Sequence, residues 1–350
     1  MTGPRSTASA PQSTSRRGFT ADILTIAVMV VALTTRPAEA LLIMPGFTSA
    51  ITSDPNAASI ESAIYSAIGT IDSLYSNPGT VDVLFDEGSG GFLAESNTTD
   101  QPYSYSSYTG LLAAVSAAQP SNTVLATAIA NLGSGNTPGP GGTVQVTTAD
   151  AQVVLGSSAT GCFNSAGAYV SACGQPYDGV VTLNTGVSLN YTTTPVPGQY
   201  SAIGGVEHEL DEILGGGGQG SVLNGTPCGN PGVDVGVLDL YRYSSPGVPS
   251  FSSCNGTLAY LSVDGGNTDI IQFNGDPSGD LGDFHPSGYV QSANATPGIV
   301  PSYTTASPEF AMMQSIGYEG AVPEPASLAL LGSGLVGVLA ARRRRNRKIR

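Results

Sequence analysis

The chain has 350 residues, enough for one or two domains, with 26 acidic against 12 basic residues and a formal net charge of −14. Eleven of the basic residues lie within 1–40 and 322–350, so residues 41–321 carry Arg242 alone against 23 acids, a formal charge of −22. Such a surface repels phosphate backbones and attracts divalent cations, which excludes nucleic acid as a partner; the only lysine is Lys348, so P-loop and Schiff-base lysine chemistries drop out as well.

Residues 1–40 run from a polar leader through Arg16 and Arg17 into an apolar stretch at 23–33, then to Ala38-Glu39-Ala40. That order predicts a secretory signal peptide with an A-x-A cleavage site, its apolar part too short to span a membrane. The arginine pair fits either an ordinary export signal or a twin-arginine signal.

In residues 41–321, about two-fifths apolar residues over the whole chain and local periodicity predict a folded, loop-rich body with no internal repeat. Ile60, Ile64, Ile68, Ile71 and Leu74 recur at helical spacing, and the following "NPG" ends that helix. "TVDVLF" (80–85) reads as a strand. Two shorter helices are predicted over 110–118 and 123–132, then a loop over 133–142, a strand over 143–148 and a helical turn or two over 149–156. "GVVTLNT" (179–185) is the best candidate for a buried strand, and a helix is predicted over 200–214. Beyond it come loops and short strands such as "LAYLSV" (258–263). A last helix opens with Ser307 as N-cap and Pro308 at its first position.

The four cysteines, Cys162, Cys173, Cys228 and Cys254, lie in the exported part, where two disulfides are the default. The preferred pairing is Cys162 with Cys173 and Cys228 with Cys254. No C-x-x-C spacing supports a thiolate metal site.

The chemistry concentrates in "GGVEHELDEILGGGG" (204–218). On a helix, His208 and Glu212 project from one face and can hold a single cation, while Glu209 reaches a water beside it. That is the arrangement of an H-E-x-x-H protease with a carboxylate in place of the second histidine; carboxylate oxygens bind zinc at about 2.0–2.2 Å, so Glu212 is an admissible ligand. Its negative charge weakens the cation's pull on water. Asp211 is a candidate supporting partner or competing ligand. Gly215 matches the turn glycine of the longer H-E-x-x-H-x-x-G-x-x-H signature, and Gly218 stands where that signature has its third ligand. For the third ligand His285, Asp239 and Asp283 remain open, with His285 the best chemistry. Tyr243 is a candidate hydrogen-bond donor to a developing oxyanion; the alternative is that Arg242 and Tyr243 anchor a loop. "NGDPSGDLGD" (274–283) resembles the first half of a calcium loop, with an Asp/Gly turn cluster as the alternative. The competing account of the whole motif is a solvent-facing acidic helix.

The order of "HELDEILG", "LDLYRYSSPGV", "YLSVDGGNT", "FNGDPSGDLGDF" and "MMQSIGY" resembles a family of predicted bacterial metalloproteases carrying H-E-x-x-E, over roughly residues 55–320. The resemblance implies an α+β, zincin-like fold: helices on a mixed sheet above a cleft, and an irregular C-terminal half ending in a helix. By position it implies His208 and Glu212 as zinc ligands and Glu209 as general base. "DLYRYS" would occupy the turn beneath the metal, although it carries Tyr241 and no methionine.

The last 29 residues place Pro323-Glu324-Pro325 before a short apolar span and then an arginine-rich cluster, with the charge holding that end in the cytoplasm. This resembles the PEP-CTERM sorting signal of bacterial surface proteins, which implies an exosortase-type membrane enzyme as partner, transient membrane association through the tail, and a cell-envelope or extracellular destination. The expectation is an exported zinc peptidase acting on a peptide or protein. Its competitor is a non-catalytic surface or matrix protein associated with polysaccharide.

Overall fold

A computed structural model describes residues 40–133, 136–171, 173–228 and 232–321. The expected signal peptide and sorting segment therefore lie outside the described residues, apart from their inner boundaries.

Strand β1 (Leu41–Phe47) leads through a short helix, α1 (Ser49–Ser53), into α2 (Ala57–Leu74). Ile60, Ile64, Ile68, Ile71 and Leu74 form one buried stripe along α2, so the apolar spacing read from the sequence is the face that packs. The chain returns as β2 (Gly79–Gly88), turns into β3 (Ala94–Asn97) and continues as β4 (Asp100–Tyr103). Helices α3 (Tyr105–Ala118) and α4 (Thr123–Asn131) follow; Ser104 and Asn122 cap them by accepting from Ser107 N and Leu125 N. Then come β5 (Val144–Thr147), α5 (Thr148–Val153) and a small hairpin, β6 (Cys162–Phe163) with β7 (Tyr169–Val170). Strand β8 (Gly179–Asn184) and the short parallel pair β9 (Leu189–Asn190) and β10 (Tyr200–Ser201) lead directly into α6 (Ala202–Ile213).

The principal sheet has the order β1-β2-β8-β3; β1, β2 and β8 are parallel, and β3 is an antiparallel edge. Alternation along the central strands sorts side chains between its two faces. Val83, Phe85, Val181 and Leu183 join the main core with α2 and α6, while Leu84 and Val180 pack on the other side with Phe163. Because Ser96 is in register with Val181, the edge strand turns that hydroxyl toward α6.

Beyond α6 the backbone is mostly loop and single 3-10 turns, because glycine, serine and asparagine are dense there and apolar runs are short. Strand β11 (Val235–Gly236) joins β5 and β4 in a three-stranded sheet. Strands β12 (Arg242–Ser245), β13 (Val248–Pro249), β14 (Tyr260–Leu261) and β15 (Ile271–Gln272) form an antiparallel sheet in the order β13-β12-β14-β15. Helix α7 (Pro308–Ser315) closes this half. Ser307 occupies its N-cap position, but its hydroxyl bonds backward to Thr304 N and Ser302 O, and Pro308 opens the helix. The segment after α7 returns to the end of α2, with Ala321 N donating to Leu74 O and Asn77 Nδ2 to Gly317 O.

The mixed α+β architecture with a loop-rich C-terminal half matches the expectation. Cys228 and Cys254 form a disulfide, Cα atoms 4.5 Å apart. Cys162 and Cys173 do not: they are two thiols in hydrogen-bond contact, and burial first, then Cys162 itself, pushes the Cys173 thiol up to about 12.

Candidate metal centre

Helix α6 is capped at both ends. Ser201 Oγ accepts from Gly204 N at 3.0 Å. At the other end Gly215 takes φ +95°, with Gly215 N on Glu212 O and Gly216 N on Asp211 O, a Schellman termination that only a glycine enters without strain. Val206, Leu210 and Ile213 are fully buried in the main core. His208, Glu209 and Glu212 line a cleft of about 740 Å³, whose other walls include Leu93, Ala94 and Ser96 from the sheet edge and Asp283 from the C-terminal half.

Three donors converge there. His208 Nε2 stands 3.6 Å from Glu212 Oε1 and 3.6 Å from Asp283 Oδ2, and ligand atoms of the three residues lie within 4.8 Å of one another. Separations of 3.6 Å are too long for hydrogen bonds. They match the spacing of about 3.3–3.6 Å expected between tetrahedral ligands held about 2.0–2.2 Å from a zinc ion.

The surroundings fix each donor. His208 Nδ1 lies 2.9 Å from Val290 O; a carbonyl only accepts, so Nδ1 carries a proton and Nε2 is the ring nitrogen that faces the carboxylates, open to a cation once its own proton is lost. Gln291 Nε2 donates to His208 O, and Gln291 N to Glu309 Oε1, tying that segment to α7. Glu212 Oε2 accepts from Ser96 Oγ at 2.6 Å, and Oε1 from Gly218 N at 2.9 Å. Asp283 is 3 % exposed, and its Oδ1 has no hydrogen-bond partner. A buried carboxylate oxygen without a donor is costly, and a cation among the three residues removes the cost. The residues therefore fit a divalent metal.

Electrostatics point the same way. Burial alone lowers the His208 imidazole, yet the charges of Asp283, Glu212 and Glu209 hold it well above its usual range. Burial and then the Glu212 charge drive the Glu209 carboxyl well up. Burial does the same to Asp283, against the pull of His208. Packed carboxylates of this kind lack positive charge.

Of the expected site residues, the structure brings together His208, Glu209 and Glu212, and adds Asp283 from the three alternatives for third ligand. It does not bring His285 to the group: that side chain is exposed and outside the cleft lining. Asp239 is buried in a different role, accepting from Ser221 Oγ, Val222 N and Gly236 N. Asp211 faces the core, where Tyr303 donates to its Oδ1 at 2.9 Å. Tyr243 does not line the cleft; its hydroxyl accepts from Asn136 Nδ2, and Arg242 donates to Leu281 O and Asn274 O, so both anchor loops. In the calcium-like loop Asn274 Nδ2 bonds Asp276 O and Asp280 O, and Asp276 Oδ1 accepts from Ser278 N and Oγ. These side chains are committed to turn bonds, as in an Asp/Gly turn cluster. Ser96, Gly218 and Val290 were not foreseen; only the glycine run after the helix hinted at a close backbone approach.

Among the described residues no helix is long and apolar enough to cross a membrane. No curated protein matches the chain, and no solved structure does. Residues 321–345 match the PEP-CTERM protein-sorting motif, which marks an exported protein sorted to the cell envelope and recognised by an exosortase-type sorting enzyme.

Proposed function

We propose that the body of this chain is an exported, zinc-dependent peptidase with a zincin-like arrangement of edge strand, cleft and metal helix, released or retained at the cell surface after both terminal signals are processed. The observation that carries the reading is the convergence of His208, Glu212 and Asp283, from facing walls of the cleft, on one point beside Glu209. When bound, the cation supplies Lewis acidity, polarising a carbonyl and making water easier to deprotonate.

The chain's own residues do the rest. An extended peptide pairs with the outer edge of β3, which has β8 as its single strand neighbour among the described residues. That places a scissile carbonyl next to the three donors. Glu209, 5 % exposed, is walled from bulk water; beside positive charge its carboxylate ionises more readily, which suits it to accept a proton from water and pass it to the leaving amine. The Val290 carbonyl and Ser96 hydroxyl keep His208 and Glu212 in place through the cycle.

The test joins metal analysis with peptide cleavage. The purified chain is expected to hold one zinc, and Glu209→Gln to retain it while kcat falls about 10²–10⁴-fold, the usual contribution of a general base. Loss of metal and activity together removes Glu209 from the base role.

A second reading rests on the donor set. Two carboxylates and one imidazole withdraw less charge from a substrate than a histidine-rich set, which suits a cation that braces a non-catalytic surface or matrix protein, polysaccharide-associated or not. Bound metal with no cleavage of any peptide favours it.

A further inference from the structure

We infer that the cleft selects extended peptides carrying lysine or arginine beside the scissile bond; this substrate class rests on the peptidase reading above. Two separate segments bring carboxylates to its rim. Glu95 lies within β3, and Asp276 and Asp280 come from the loop at 274–283; all three are exposed and line the cleft. Asp276 accepts from Ser278 N and Oγ, which hold its carboxyl below the usual range.

Nothing basic offsets these charges. No lysine or arginine lines the cleft, and Arg242, the single basic residue of 41–321, is 1 % exposed and spent on backbone carbonyls and the Phe273 ring. The unpaired Asp283 Oδ1 belongs to the donor cluster on the same cleft, so the rim carboxylates flank the place where the scissile bond would sit. A strand added to the edge of β3 sets its opposite residue with Cβ about 4.5–5.5 Å from that of Glu95. A cationic side chain there is attracted and an anionic one repelled. An exposed pair of this kind changes affinity about two- to fivefold, and several acting along one extended peptide multiply.

The experiment uses the full chain, zinc-loaded, with two quenched fluorescent peptides that share one core and differ only in lysine or glutamate flanking it. The lysine peptide is expected to show kcat/KM about tenfold or more above the glutamate peptide at low ionic strength. The gap should shrink beyond about 0.1 M salt, where the screening length falls to about 10 Å. The double variant Glu95→Gln with Asp280→Asn should bring the two within about twofold. Equal cleavage of both peptides, or a preference untouched in the double variant, overturns the inference while leaving the peptidase reading standing. If neither peptide is cleaved the peptidase reading fails, and binding to the Glu209→Gln chain by fluorescence anisotropy decides. Tighter lysine-peptide binding that the rim substitutions abolish upholds charge selection; equal or absent binding overturns it.

Discussion

Asp283 and His285 stand two apart in the sequence, and only Asp283 reaches His208. Residue type favoured the imidazole; burial decides otherwise, because Phe284 between them is fully buried and His285 is left exposed. Asp283→Ala should weaken zinc binding by more than the 10–100-fold typical of losing a supporting group, and Ser96→Ala, which frees Glu212 Oε2, by about 10–100-fold. His285→Ala should leave both stoichiometry and affinity unchanged. Competition against a chromogenic chelator reads all three; a His285 effect as large as that of Asp283 would reassign the ligand. The pair on α6 was legible in the sequence because helical spacing alone puts positions 208 and 212 on one face. The third donor of the cluster, Asp283, was not, since it arrives from a loop whose path depends on long-range packing. Asp239, an equal candidate on paper, has its oxygens taken by Ser221, Val222 and Gly236.

At the scale of elements, the turn after α6 does as much as the helix. The Schellman bend at Gly215 and Gly216 swings Gly218 N onto Glu212 Oε1. A Cβ on Gly218 would stand 2.5 Å from that oxygen and 2.8 Å from the Asp280 side chain. The glycine thus occupies the third-ligand position of the longer protease signature because backbone is needed there, and Asp283 is the third donor that reaches the group instead. Gly218→Ala is expected to displace the Glu212 carboxylate, lowering zinc affinity at least about tenfold with an overpacking cost of about 1–3 kcal/mol. Gly110→Ala, in α3 with nothing within 4 Å of the added carbon, should stabilise by up to about 1 kcal/mol and serves as the control in the same melts and titrations. Element legibility followed burial. The isoleucine stripe of α2 and the apolar run of β8 were plain, whereas "AESN" of β3 is too polar to read as a strand because it forms the open edge of the cleft. The first turn of α3 is serine- and tyrosine-rich, and its start is set by the Ser104 cap.

At the scale of the whole body, among the described residues, buried acids outnumber the bases that could pair with them. Burial pushes Asp72 up to about 6, against the bond from Ile43 N, and Glu207 up to about 7, against Thr70; Asp150 and Asp211 lie well above the carboxylate range for the same reason. Each of these groups holds its proton more tightly folded than unfolded, so the stability it contributes is present below its unfolded pKa and lost as pH rises through its folded pKa. His208, also raised, acts with the same sign above its ordinary range. The metal-free chain should therefore lose stability between about pH 4 and pH 7, the reverse of ordinary acid denaturation. Glu207 accounts for about 3 kcal/mol of that loss, and Asp72, only partly buried, for about 1 kcal/mol after allowance for solvent screening. Glu207→Gln and Asp72→Asn should each flatten the limb in urea or thermal melts across this range; a midpoint that climbs from pH 4 to pH 7 in the unsubstituted chain would overturn the assignment. Zinc reverses the trend, since its ligands bind best when deprotonated and a ligand that binds only the folded state raises stability by mass action. Excess zinc should raise the midpoint most near pH 7 and least near pH 4, and a rescue independent of pH would mean that the ion binds somewhere other than among His208, Glu212 and Asp283.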